Sequence, residues 1–146
     1  MTVAGRTKTI TEPVRTLAFG DFTHQGLPFY TGCVTYHFPV TVKNGALTLR
    51  VPHYRGALME VSIDGAYAGP IVFAPYTLTK TDLADGEHQV ELKLIGTRQN
   101  GFAQLHHTQG IYFYQSPHSW RSEGDKWTYE YQFKKAGVLR APDILE

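Results

Sequence analysis

Val34-Thr35-Tyr36-His37-Phe38-Pro39-Val40-Thr41-Val42 puts an apolar side chain on every second residue. Successive side chains of a strand point to opposite faces, so this spacing predicts a strand with one face on a core and the other in solvent. Pro39 falls on the outward parity and has no N–H to donate, which predicts an edge strand or a bulge. The alternation recurs at Leu47, Leu49 and Val51, at Met59, Val61 and Ile63, at Val90, Leu92 and Leu94, and at Trp127, Tyr129, Tyr131 and Phe133. Asn and Gly tolerate positive φ, so Lys43-Asn44-Gly45 is expected to close a tight hairpin between the first two runs, and Asp64-Gly65 another between Ile63 and Tyr67. Further strands are expected at 16–19, 70–73, 102–106 and 111–114, with one helical turn at 78–83 capped by Thr79 or Thr81. The 14 glycines and 8 prolines are spread so evenly that long helices have no room. Eight or more short strands joined by such turns predict an all-β chain folded as an antiparallel β-sandwich or jelly roll.

A length of 146 residues suits one domain, because either half alone would lack a core. That domain is expected to span 1–146, with 1–13 and 143–146 as peripheral tails. Hydrophobic residues make up 42% and charged residues 18%, which excludes general disorder. With 14 Lys and Arg against 13 Asp and Glu, the net charge of +1 gives no basic field for a phosphate backbone, so nucleic acid is not an expected partner. No stretch approaches the roughly 20 apolar residues of a membrane span, and residues 1–10 lack the apolar run of an export signal. Location stays open, because the chain can be a piece of a longer one. Cys33, the only cysteine, has no disulfide partner within the chain and reads as a small, at least half-buried residue.

Catalytic signatures are missing. There is no nucleophile elbow, P-loop or dinucleotide fingerprint. His106 and His107 are adjacent, so on a strand they would face opposite ways and could not share a metal. No cofactor is expected, and nothing in the sequence supports a structural calcium ion. Asp64, Asp82, Asp85, Glu123 and Asp125 sit in turn chemistry, while Glu60, Glu91 and Glu130 fall on outward strand parity, so no carboxylate pair for glycoside hydrolysis is expected to converge. What remains is aromatic and planar polar side chains between the strands. A sugar presents a flat C–H face and a rim of hydroxyls, which such residues match. The candidate sugar-binding residues are Gln25, Tyr30, His53, Tyr54, Arg55, Arg98, Asn100 and Trp120, with Phe29, Gln99 and Arg121 beside them. Trp127 shares parity with Tyr129, Tyr131 and Phe133 and is expected to point to one sheet face with them and to lie at least partly in the core, whereas Trp120 stands in loop chemistry and is expected at an end of the sandwich.

Leu58-Met59-Glu60-Val61-Ser62-Ile63-Asp64-Gly65, Ala68-Gly69-Pro70, Ala74-Pro75-Tyr76-Thr77-Leu78 and the segment from Leu83-Ala84-Asp85-Gly86 to Val90-Glu91-Leu92 follow one another in an order of known type. This order resembles the galactose-binding-domain-like jelly roll of bacterial glycoside hydrolases, as in the sugar-binding domain of family 2 and rhamnosidase-like enzymes. Gln25-Gly26-Leu27-Pro28-Phe29-Tyr30-Thr31-Gly32 is similar to the entry of that module. Arg98-Gln99-Asn100-Gly101-Phe102, Gly137-Val138-Leu139 and Pro142 are similar to its end. The resemblance runs from about Leu17 to Ile144 and departs from the family at Asp64, where Asn is frequent. It implies a non-catalytic carbohydrate-binding or accessory domain whose partners are carbohydrate and the catalytic domain of a parent hydrolase. No catalytic residue carries over, because in such enzymes the acid and the nucleophile belong to another domain. It also leaves room for a module that only braces the catalytic domain, or for a small hydrolase acting alone.

Overall fold

The computed structural model describes residues 14–108, 120 and 122–145. The chain is an all-β antiparallel sandwich. One sheet contains β1 (Cys33–Val42), β4 (Leu58–Ile63), β5 (Ala66–Ile71) and β7 (Gly86–Ile95) in the order β1-β7-β4-β5. The facing sheet contains β2 (Ala46–Arg50), β6 (Thr77–Thr81) and β9 (Asp143–Leu145) in the order β6-β2-β9, and β3 (Tyr54–Arg55) pairs with β8 (Gly137–Val138). The chain's helical elements include a 3-10 turn at Phe22–His24 and one α turn, α1 (Gln99–Phe102). Neither could cross a membrane.

The alternating runs build the core. Val34, Tyr36, Val40 and Val42 from β1 meet Met59, Val61 and Ile63 from β4 and Val90, Leu92 and Leu94 from β7. Leu47, Leu49 and Val51 close the cluster from the other layer. β1 pairs along its length with β7, from Cys33 opposite Ile95 to Val42 opposite Gly86. It is an edge strand, so Pro39 costs no ladder bond on its free side. Pro70 likewise lies in the opposite edge strand, β5. Asp64 and Gly65, with φ of 51° and 77°, form the tight turn between β4 and β5. Outward-facing Glu60 reaches Lys93 across the pair at 2.9 Å.

Several expectations give way. The turn at Asn44 and Gly45 forms, with φ of 59° and 68°, but the hairpin stops after one bridge, Lys43 to Ala46. β1 and β2 then diverge into different sheets, because each finds longer partners there: β7 for β1, β6 and β9 for β2. Residues 78–83 make no helical turn; 77–81 are β6, paired with β2 from Arg50 opposite Thr77 to Ala46 opposite Thr81. The expected strand at 70–73 survives only as the end of β5, and 16–19 and 102–106 are irregular apart from the end of α1. Cys33 is exposed rather than buried, on the outward face of β1. Residues 143–145, expected as a tail, pair with β2 and are fastened by Arg50 to Asp143 at 2.8 Å. The expected strand at 111–114 and the tail at 1–13 lie outside the described residues.

The run 127–133 is also not a strand. Its backbone meets the rest through one bridge, His107 to Trp127, and scattered bonds such as Thr128 N–H to His106 O at 2.8 Å and Gln132 N–H to Leu105 O at 2.7 Å. Tyr129 is 87% and Tyr131 52% exposed, and Trp127 is half-buried outside the core cluster. Trp127 therefore belongs to the surface of one end of the molecule, not to the interior of the sandwich.

Candidate functional site

Two adjoining clefts lie where the segments around Tyr30, Arg55, Gly96, Asn100 and Lys134 come together. Their common wall is Asn100, placed by α1. It is 5% exposed, and its side chain donates from Nδ2 to Lys134 O at 2.7 Å and accepts from Lys134 N–H at 3.0 Å. The amide thus imitates a strand partner and satisfies the backbone of Lys134 on both sides. The same segment is held at Ala136, whose N–H donates to Asp21 Oδ1 at 3.2 Å and whose carbonyl accepts from Phe22 N–H at 2.9 Å. Asp21 also accepts from Thr23 N–H and Thr23 Oγ1. Burial raises its pKa, but these hydrogen bonds outweigh that effect and the carboxyl is held below its ordinary value.

The first cleft, about 280 Å³, is lined by Tyr30, Arg55, Gln99, Asn100, Lys134 and Lys135, with Phe22 and Ala136 as its apolar part. Gly96 is a close-approach position on its floor: a Cβ there would strike the carbonyl of Gly32, to which Gly96 N–H donates at 3.2 Å. Tyr30 Oη donates to Cys33 O at 2.8 Å, and Arg55 Nη1 donates to Tyr54 O at 3.2 Å.

The second cleft, about 370 Å³, is an aromatic groove between Phe29, His106, Trp120, Trp127 and Tyr131. Phe29 meets Tyr131 and Phe133 edge-on at 5.0 and 4.9 Å, and Tyr131 stacks on Phe133 at 5.4 Å. His106 lies 4.6 Å from Tyr131 and 5.8 Å from Trp127. Its Nδ1 faces Thr128 O at 3.0 Å, an atom that can only accept, so Nδ1 donates there and neutral His106 leaves Nε2 as an acceptor. Phe29 is 48% and Trp120 58% exposed, which is the arrangement of a platform rather than of a sealed core. Among the described residues neither cleft is lined by a carboxylate, and no group of three or more His, Cys, Asp or Glu could hold a metal.

Of the eight residues predicted from sequence, Tyr30, Arg55 and Asn100 converge on the first cleft, and Trp120 joins Asn100 at the second. The other four line neither cleft. Gln25 clamps its own loop, accepting from Ala18 N–H at 2.9 Å and donating to Ala18 O and Asp21 O at 3.3 Å. Tyr54 packs its ring edge-on to Tyr76 at 5.4 Å against the core, and burial pushes its phenol up. His53 is exposed and its carbonyl accepts from Leu139 N–H, while Arg98 stands at the N-terminal end of α1. Lys134, Lys135, His106 and the rings of Trp127 and Tyr131 were not singled out as site residues. The last two carry the same period as a strand, which hides a surface cluster, and Lys134 and Lys135 gain meaning only from the folded position of Asn100. Arg121 lies outside the described residues.

No protein-family model and no curated protein matches the sequence. Solved structures do match it. A rhamnosidase from Novosphingobium sp. PP1Y superposes with a TM-score of 0.52 at 20% identity, over 80% of this chain and 11% of the enzyme. A GH2 beta-galacturonidase from Eisenbergiella tayi, bound to glycerol, gives 0.52 at 19% identity, over 99% of this chain and 21% of the enzyme. The sandwich is shared with parts of much longer enzymes. At these identities the likeness is one of fold.

Proposed function

We propose that this chain is a non-catalytic carbohydrate-binding domain of a glycoside hydrolase, and that the aromatic groove is its sugar platform. The observation that carries the reading is the exposure of Phe29, Trp120 and Tyr131 along one groove whose rim holds Asn100, Gln104 and His106. Flat rings stack on the C–H face of a pyranose, and the polar rim receives its hydroxyls. The likeness in fold to small parts of a rhamnosidase and a GH2 beta-galacturonidase supports a place beside a catalytic domain. Catalysis is assigned to that domain and to no residue here. Glycan-array screening followed by calorimetry tests the reading. A saccharide should bind the domain, and Trp120→Ala should weaken it about tenfold or more while leaving Tm within a degree or two, since the ring is exposed and outside the core. Unchanged binding after Trp120→Ala would remove the platform.

A second reading rests on the same exposed rings. Phe29 and Tyr131, linked through His106 and Trp127 to Tyr129, make an exposed aromatic surface of the sort that a catalytic domain could cover, giving a bracing module that touches no sugar. That reading expects no glycan to bind and the isolated domain to self-associate through this face, whereas a sugar platform expects a monomer with measurable glycan affinity.

A further inference from the structure

The cleft on the other side of Asn100 differs in chemistry from the groove. Arg55, Lys134 and Lys135 all line it, and none of the three is within ion-pair distance of a carboxylate among the described residues. The chain as a whole is nearly neutral, at +1, so three cations meeting without a counter-charge is a local feature and not the reflection of a basic surface. Among the described residues Arg50 and Arg140 pair with Asp143 and Lys93 with Glu60. Lys43, Lys80 and Arg98 are without an ion pair there too, but they line neither cleft, so only here do three such cations meet. Asp21, which fastens the cleft wall at Ala136, does not line the cleft; its Oδ1 accepts from Thr23 and Ala136, and its Oδ2 lies 3.9 Å from His24 Nε2.

From this we infer that the cleft receives the carboxylate of an acidic sugar unit, a uronate, whose neighbouring neutral ring lies on the aromatic groove. The inference rests on the saccharide-binding reading above and specifies its ligand class. Arg55 spends one N–H on Tyr54 O and keeps the rest of its planar fork, which matches the two oxygens of a carboxylate. Lys134 and Lys135 bring point charges from a backbone that Asn100 and Asp21 already hold in place, so little ordering accompanies binding. Gln99 and Tyr30 offer partners to ring hydroxyls. The cleft, at about 280 Å³, lies near the lower limit of roughly 300 Å³ for small-molecule sites, which favours a single sugar residue over an extended acidic peptide. Because Asn100 lines both clefts, one oligosaccharide can occupy them together.

The test is calorimetry on the whole chain with short oligosaccharides of galacturonate and of glucuronate, their methyl esters, and the neutral galactose and glucose counterparts. Esterification keeps the ring and removes the charge. The acidic sugars should bind about tenfold or more tightly than their esters, and this preference should shrink as salt is raised. Arg55→Gln and Lys135→Gln should each weaken the acidic sugars by a larger factor than the esters and neutral sugars, so that the preference shrinks, with Tm and circular dichroism confirming that the variants fold. Equal binding of acid, ester and neutral sugar overturns the inference and leaves the saccharide-binding reading standing. Binding of no sugar overturns that reading, and the inference with it. Competition by inorganic sulfate or a short poly-Glu peptide at the same concentration as the uronate also overturns it, in favour of a general anion site or a protein partner.

Discussion

β7 and the segment 127–133 carry the same hydrophobic period, yet one is a central strand and the other is an irregular surface at the end of the molecule. Val90, Leu92 and Leu94 are fully buried between partners on both sides, β1 and β4. Trp127, Tyr129, Tyr131 and Phe133 instead pack on one another and on Phe29 and His106, with Trp127 and Tyr129 4.3 Å apart. Alternation says which side chains would share a face if the segment were extended and paired. Pairing itself needs a free sheet edge at the right place. Aliphatic side chains have no favourable arrangement except a core, whereas aromatic rings gain from edge-on and stacked contacts with each other while partly exposed.

Truncation separates the two regions most sharply. Leu92→Ala, at a fully buried position, is expected to cost about 2–5 kcal/mol, and Tyr129→Ala no more than about 0.5 kcal/mol, both read from urea unfolding. Comparable losses would mean that 127–133 carries core-like packing. Asn100→Ala comes next, at about 1–3 kcal/mol, because it leaves Lys134 N–H and C=O without the partner that the structure supplies. It should also blunt binding at both clefts, so a stable variant with intact binding would disconnect the wall from the site. Trp127→Ala is expected to cost about 1 kcal/mol, well short of a core tryptophan, by loss of its contacts with His106 and Tyr129. A loss above about 3 kcal/mol would return Trp127 to the core.

The smallest effect is a pH dependence far from this end. Both ring nitrogens of His88 face acceptors, Asp64 Oδ2 at 2.6 Å and Ala84 O at 2.8 Å, which favours the doubly protonated ring. The backbone carbonyl of Ala84 and then Asp64 raise its pKa above the ordinary 6.5. The bonds from Gln89 N–H and His88 hold Asp64 below 3.8. A raised folded-state pKa gives stability that is complete below 6.5 and lost as pH rises through the folded value, and a depressed one gives stability lost as pH falls through it. Tm of the wild type should therefore drop, relative to His88→Gln, as pH is raised above about 6.5. Parallel curves for the two proteins would show that the pair contributes nothing.

Part of the candidate site was legible in the same way as the fold. Trp120 and Arg55 stand among turn-forming residues, which signals a loop and exposure, and Asn100 sits in the planar polar group Arg98-Gln99-Asn100. Tyr54 and Gln25 carry the same chemistry, yet the fold uses one to cover the core beside Tyr76 and the other to close a loop. Side-chain type cannot separate these uses, because the deciding quantity is which backbone carbonyl or ring lies within reach.

The sequence by itself determined the strands β1, β4 and β7, their inward faces and the turn at Asp64-Gly65. Each of these follows from the local two-residue period and from backbone conformations that few residues tolerate. Tertiary structure alone decided that β1 and β2 part after one bridge, that 77–81 is a strand, that 143–145 is held by Arg50, and that the aromatic run faces outward. It also decided that Arg55 meets Lys134 and Lys135 across nearly eighty positions of sequence. These outcomes depend on which distant backbone groups offer free hydrogen bonds and which surfaces remain to be covered once the aliphatic core has closed.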